Sequence, residues 1–313
     1  MKLGLSAITT RAQTKRQGVA RVWTDIGGLQ GHWDCSDNAT VRTLGDSQVS
    51  DGGNVGWINN KVTGDLRMGN YLYYRGNPTF HLGGANSKSY IDLDGNDALS
   101  CFSQNSSTTS GAVEPWTTCR GEFSWVGHTV FLVVDPDAAD APTDEVIFHL
   151  RAGANSAQNT GSSLTLEADD DEFRVKVGNP TDNNSDFKDT GIDIAAAPTL
   201  LTVSYSGNDV SDAGKFYVNG DQSAAFDIDL TDIEFAGAGD LVFTTDGIPM
   251  ASADGSSAGY GAFCIGARLV SNGPSTFNSC FNGKVYEVLL YLNTVGNSDR
   301  ALIEAHLKTK YGI

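Results

Sequence analysis

Apolar positions along this chain fall in short runs cut by turn residues, the signature of strands. Thr129-Val130-Phe131-Leu132-Val133-Val134 is the strongest run and stops at Asp135-Pro136. Val146-Ile147-Phe148-His149-Leu150 predicts another strand, with His149 as a packing residue inside it. Leu164-Thr165-Leu166 and Phe173-Arg174-Val175-Lys176-Val177 predict a hairpin around the acidic stretch between them. Leu200-Leu201-Thr202-Val203-Ser204-Tyr205 ends at Ser206-Gly207, and Lys215-Phe216-Tyr217-Val218 ends at Asn219-Gly220, a dipeptide suited to two-residue hairpin turns. Phe263 to Leu269 and Lys284 to Leu292 complete the strands. A helical period occurs once, where Leu302, Ile303 and Leu307 form an apolar stripe. Asn297 or Ser298 suits its N-cap, Lys308 and Lys310 fall in the last turn, and Gly312 suits its end. Many strands, long loops and one terminal helix predict an all-β sandwich, with no internal repeat and no long linker.

Composition narrows this further. The chain has 313 residues, room for one large β domain or two ordinary ones. Hydrophobic residues at 40% supply a core, which excludes wholesale disorder. Lys plus Arg total 21 against 38 Asp plus Glu, a formal charge of −17, so the general surface repels nucleic acid. The charge is uneven. The first 24 residues carry Lys2, Arg11, Lys15, Arg16 and Arg21 and no acid, leaving 16 basic residues against all 38 acids in the remainder. A basic arm over residues 1–22 is expected to lie on an acidic surface, in a sister subunit or a partner, with a solvated terminus as the plain alternative. The apolar stretch of a secretion signal and the apolar run of a membrane span are both missing. The protein is expected to be made and kept in a cytoplasm, or to leave it without the usual export route. Five cysteines, none in a CxxC pair, do not make a disulfide scaffold. Cys101 with Cys119, or Cys264 with Cys280, can close on oxidation, but buried free thiols are expected.

Three stretches carry a family resemblance. The C-terminal run Phe281-Asn282-Gly283-Lys284-Val285-Tyr286-Glu287-Val288-Leu289-Leu290-Tyr291 is followed by Ser298-Asp299-Arg300, Ile303-Glu304 and Lys310-Tyr311-Gly312-Ile313. It resembles the closing strand and helix of concanavalin A-like, laminin-G-like jelly-roll domains of phage virion and bacterial surface proteins. Tyr90-Ile91-Asp92-Leu93-Asp94-Gly95-Asn96-Asp97-Ala98-Leu99 looks like the early "F-D-G-x-x-D-x-L" segment of that family, and Phe216-Tyr217-Val218-Asn219-Gly220 like its "Y-V-N-G" hairpin. Val22-Trp23-Thr24-Asp25 looks like the "W-x-D" opening, which leaves residues 34–66 as a polar insertion in a sandwich spanning 23–313. The resemblance implies two antiparallel sheets packed face to face and a short C-terminal helix, with sugar or calcium sites on the concave sheet and rim loops. The fold hosts lectins, glycosidases and virion proteins, so function must come from the site.

Candidate chemistry is sparse. Glu167-Ala168-Asp169-Asp170-Asp171-Glu172 loosely resembles the E-x-D-x-x-E strand of glycosidases of this fold. A retaining mechanism needs two carboxyls roughly 5–5.5 Å apart on one strand face. The run lies between two clean strands and reads as a solvated turn. Gly255-Ser256-Ser257-Ala258-Gly259 spells a nucleophile elbow but lacks the preceding strand and following helix. His32, His81, His128, His149 and His306 have no metal-site spacing. Asp92, Asp94 and Asp97 cluster on a turn and are the named calcium candidates, with Asp209 and Asp212, or Asp246 and Asp254, behind them. Among Trp23, Trp33, Trp57, Trp116 and Trp125, the glycan-stacking candidates are Trp33 and Trp57, which lie in polar sequence.

The function expected is a non-enzymatic structural protein of a phage virion, exposed as capsid decoration, fibre or adhesin. Its expected partners are other virion proteins, sister copies and a host glycan, with no nucleic acid and no membrane. The expected cofactor is none, or calcium. The alternative is a bacterial carbohydrate-binding module or glycosidase relative.

Overall fold

The computed structural model describes residues 23–62, 67–69, 77–102, 128–137, 145–152, 162–169, 172–178, 186–205, 214–226, 262–269, 277–291 and 293–313. The basic arm with Lys2, Arg11, Lys15, Arg16 and Arg21 lies outside the described residues, as do Cys119, Trp116, Trp125 and residues 206–213 and 227–261.

In chain order the strands are β1 (Leu29–Asp34), β2 (Val41–Arg42), β3 (Gly53–Asn54), β4 (Trp57–Asn59), β5 (Arg67–Gly69), β6 (Thr79–His81), β7 (Tyr90–Asp94), β8 (Leu99–Phe102), β9 (His128–Pro136) and β10 (Glu145–Ala152). There follow β11 (Ser162–Asp169), β12 (Glu172–Gly178), β13 (Asp186–Asp193), β14 (Thr199–Tyr205), β15 (Gly214–Val218), β16 (Asp221–Phe226), β17 (Ala262–Ile265), β18 (Arg268–Leu269), β19 (Phe277–Asn278) and β20 (Asn282–Tyr291). The helix α1 (Asn297–Tyr311) closes the chain. Nine strands form one sheet in the order β16-β15-β14-β9-β20-β7-β6-β3, with β1 also on β20. Nine form the other, β13-β12-β11-β10-β17-β8-β5-β4-β2. The ladders are antiparallel. The protein is therefore an all-β sandwich with a C-terminal helix, as its sequence pattern predicts.

Strand alternation explains the layers. Along β9, Val130, Leu132 and Val134 enter the core between the sheets, where Leu166, Phe173, Val175 and Ile265 of the opposite sheet meet them. Phe131 and Val133 face the other way, into a second cluster with Leu200, Leu289 and Tyr291. Helix α1 covers that cluster with Ile303, Leu307 and Tyr311, all at most 2% exposed, and Leu302 packs at its edge. Full burial of such a side chain contributes roughly 1.5–3 kcal/mol. The sheet under α1 is thus the helix-side sheet.

Some expectations are corrected in detail. Neither Asn297 nor Ser298 caps α1; the N-cap is Gly296, with no side-chain bond. The end is as expected: Gly312 is left-handed at φ 74°, and its N–H reaches the Lys308 carbonyl. Asn219 and Gly220 both have positive φ and join β15 to β16 as a two-residue turn. The run from Phe263 to Leu269 breaks into β17 and β18 at Gly266, whose φ is 87°. Residues 34–66 were expected as an insertion, but their described part is woven into both sheets. Strand β3 extends the helix-side sheet, β2 and β4 extend the opposite one, and Val41, Val49, Val55 and Ile58 join the core.

Candidate functional site

Three polar regions of the sandwich are candidates, and the first lies beneath α1. A bulge between Val285 and Glu287 puts Tyr286 and Glu287 both on the helix side of β20. On β1, Asp34 sits opposite Glu287 and His32 opposite Leu289, facing the same way. Glu287 accepts from Lys310 Nζ at 2.8 Å and Tyr311 Oη at 2.8 Å. His32 Nε2 lies 2.7 Å from its other oxygen, and a carboxylate can only accept. Asp34 accepts from Lys310 Nζ at 2.9 Å, Lys61 Nζ at 3.1 Å and the Ser36 hydroxyl at 2.6 Å. Burial alone would raise the Asp34 carboxyl, but Lys310, Ser36 and Lys61 outweigh it and hold it well below the usual range. Burial and the facing carboxylates of Glu287 and Asp34 push the Tyr311 phenol up.

His32, Asp34 and Glu287 bring ligand atoms within 4.8 Å of one another, the one such group of three among the described residues. Their arrangement does not fit a divalent ion. The Lys310 ammonium already bridges the two carboxylates, and an incoming cation would have to displace it. The cluster fastens α1 to the sheet. Sequence reading missed it, although Glu287 inside the apolar run of β20 was a usable signal.

The second region is the outward face of the opposite sheet. Leu166, Ala168, Phe173 and Val175 face the core, so Thr165, Glu167 and Arg174 face outward. His149 lies between Cys264 and Thr165 in register, and its Nδ1 is 3.0 Å from Thr165 Oγ1. His149, Thr165 and Glu167 are all at most 2% exposed. His149 is packed inside its strand, at 0% exposure, and its ring also pairs with Thr165. One expectation is corrected here: Glu167 is a buried strand residue, not part of a solvated turn, because β11 runs on to Asp169. The pair Asp169 and Glu172 then closes the hairpin, leaving only positions 170 and 171 between them. The E-x-D-x-x-E spelling is thus divided between two strands. Across the ladders Glu167 meets Val146 and Arg174, an apolar residue and a cation rather than a second carboxylate.

The third region holds the calcium candidates. Asp92 and Asp94 face outward from β7, while Ile91 and Leu93 enter the core. Asp94 Oδ1 accepts the Asn96 N–H at 2.9 Å, an Asx turn. Asp97 turns inward, 2% exposed, with its Oδ2 3.5 Å from the Asp94 N–H. Burial, then the neighbouring Asp94 charge, pushes its carboxyl up to about 6. Residues two apart on a strand stand roughly 7 Å apart, and the three carboxylates do not converge within 4.8 Å. The expectation that these three assemble a calcium shell is corrected accordingly.

Of the tryptophans, Trp33 is 1% exposed in the inter-sheet core and offers no face to a sugar, which corrects its assignment as a stacking platform. Trp57 is half-buried on β4, with its Nε1 donating to Asn59 at 3.1 Å. Trp23 stacks on His306 of α1 at 5.0 Å. Cys35, Cys264 and Cys280 are free thiols; Cys280 packs with Cys264, Ala98 and Ala267.

No family model matches the chain, and no curated protein matches it. Among solved structures, it is similar to domain 4 of AbnA, a GH43 extracellular arabinanase from Geobacillus stearothermophilus, in complex with arabinotriose. That match has 16% identity and a TM-score of 0.47, and covers 88% of this chain and 97% of that one. Trypanosoma rangeli sialidase matches at 14% identity and TM-score 0.47, over 91% of this chain and only 33% of the sialidase. The CBM40 of Ruminococcus gnavus IT-sialidase, bound to α2,3-sialyllactose, matches at 10% identity and TM-score 0.41, over 69% of this chain and 96% of that one.

Proposed function

We propose that the protein is a non-enzymatic glycan-binding sandwich, carried on the surface of a phage virion, whose ligand meets the outward face of the opposite sheet. The observation that carries the reading is a polar patch on β10, β11 and β12, where His149 stands beside Thr165 and Glu167 beside Arg174. A sheet face held only by packing would place apolar residues at positions as buried as those of His149, Thr165 and Glu167. Arg174, the partly exposed member, can donate to the hydroxyls of a sugar, and Glu167 stands beside it across the ladder. The virion location rests on the family resemblance of the C-terminal strand and helix.

The test is a glycan array followed by calorimetry on the wild type and on Glu167→Gln and His149→Ala. Binding that falls in both variants, without release of reducing ends, supports the reading. Binding that both variants retain, or hydrolysis that Glu167→Gln abolishes, overturns it.

A further inference from the structure

The helix-side sheet has an outer face in two parts. One lies under α1. The other spans β6, β7, β20 and β9, where the register sets Thr79, Asp92, Lys284 and Asp135 in one row across four strands. Asp94 and Asn282 form the next pair, and Asp137 follows β9. Asp94 and Asp137 are exposed and Asp92 and Asp135 partly so. The single lysine there is already engaged: Lys284 Nζ lies 3.3 Å from Asp135 and 3.0 Å from Asp137. Among the described residues neither Asp92 nor Asp94 has an ion-pair partner. Burial and the charges of Asp137 and Asp94 push the Asp92 carboxyl up, so the strip repels itself and favours an incoming cation.

This chain carries a segment of complementary charge. Residues 1–22 hold Lys2, Arg11, Lys15, Arg16 and Arg21 and no acid. They join the fold at Trp23, which packs against His306 of α1 and so enters on the outer side of this same sheet. A stretch of 22 residues spans at most about 75 Å when extended, ample to cross one sheet face. Tethering also keeps the arm at high effective concentration near its own body. We propose that the N-terminal arm, residues 1–22, binds back along the acidic strip of Asp92, Asp94, Asp135 and Asp137 of its own chain. The strip, not the glycan face, is then the acidic surface that the arm's composition calls for, and this inference is independent of the glycan reading.

Two measurements on the full chain test it. Zero-length carbodiimide cross-linking at low salt should join Lys2 or Lys15 to one of the four aspartates. In a mixture of light and isotope-labelled protein the linked pairs should come from one copy. Trypsin cleavage at Arg11, Lys15 and Arg16 should be slow at about 0.1 M salt, where the screening length is about 10 Å, and several-fold faster at about 1 M, where it is about 3 Å. The variant Asp92→Asn/Asp94→Asn/Asp137→Asn should be cleaved fast at both, with a circular-dichroism spectrum that shows the sandwich still folded. Cleavage that responds to neither salt nor variant, cross-links to other carboxylates, or pairs joining two copies would each overturn the proposal.

Discussion

Asp34 and Asp97 are both carboxylates taken almost wholly from water, at 4% and 2% exposure, yet their environments push them in opposite directions. Asp34 sits under α1 with Lys310, Lys61 and Ser36 turned toward it and is held far below the usual range. Asp97 sits at the β7–β8 turn beside Asp94, is raised to about 6, and leaves Oδ1 without a hydrogen-bond partner among the described residues. Burial raises a carboxyl in both places; the difference is whether another element delivers a cation. At Asp34, α1 does so through Lys310. At Asp97 nothing described does. The dense charge near the helix is thus a fastening, and the acid-rich turn is a local weak point in the same fold.

The comparison is broken most directly by removing the delivered cation. Lys310→Met should leave Asp34 and Glu287 facing each other under α1 and cost about 3–5 kcal/mol in urea unfolding. The triple variant Lys310→Met/Asp34→Asn/Glu287→Gln should recover much of that loss, because the uncompensated charges go with it. A single variant costing under about 1 kcal/mol would place the lock elsewhere. The Asp34 contribution also has a pH sign. Its folded value lies below 3.8, so the stability it adds is present above about pH 4 and is lost as pH falls through the folded value. Asp34→Asn should therefore blunt the acid sensitivity of the wild type. The apolar half of the same contact is tested by Leu307→Ala, buried to 1% exposure, which should cost about 2–5 kcal/mol. An unchanged melt would show that Leu307 takes no part in the fastening.

Asp97 should respond with the opposite sign. Its folded value of about 6 lies above 3.8, so the native state binds the extra proton, and stability falls as pH rises from about 4 to 6. At about 1.4 kcal/mol per pKa unit the cost at neutral pH is up to about 3 kcal/mol. Asp97→Asn should stabilise by up to that amount at pH 8 and by nothing near pH 3, read from denaturation curves at both. A variant equally stable at both pH values would show that Asp97 is ionised without strain.

How far these sites were readable depends on how local their partners are. Strands β9, β10, β14, β15 and β20 announce themselves through continuous apolar runs, and the Asn219-Gly220 turn through two residues that accept positive φ. Strand β13, with the sequence Asp-Phe-Lys-Asp-Thr-Gly-Ile-Asp, does not; it is an edge strand paired only to β12 and has no need of two apolar faces. The stretch from Asp34 looks like an insertion because its strands are two or three residues long, too short to display a period. Lys310 was legible as a cation in the last helical turn, where a dipole argument applies. Its partners were not, since Asp34 and Glu287 are 276 and 23 positions away and only the sheet brings them together. Glu167 was misplaced because a tight hairpin needs fewer turn residues than the acidic run supplies.

Lys61 offers the smallest and most discriminating change, because it touches the same carboxylate as Lys310. Its Nζ lies 3.1 Å from Asp34 and 3.2 Å from Asp37, distances close to those Lys310 makes. The settings differ. The Lys61 side chain is 34% exposed and Asp37 is 42% exposed, whereas Lys310 is 16% exposed and its second partner Glu287 is 1% exposed. Water screens the first pair and replaces its hydrogen bonds when it breaks, so Lys61→Ala should cost at most about 1 kcal/mol, and less as salt rises. Asp34 keeps Lys310 and the Ser36 hydroxyl in that variant, and its carboxyl should stay below the usual range. If Lys61→Ala instead costs as much as Lys310→Met, the bridge to Glu287 is not what distinguishes the helix lysine. Every cation around Asp34 would then be needed, and the cluster would be a balanced network rather than a fastening made by α1.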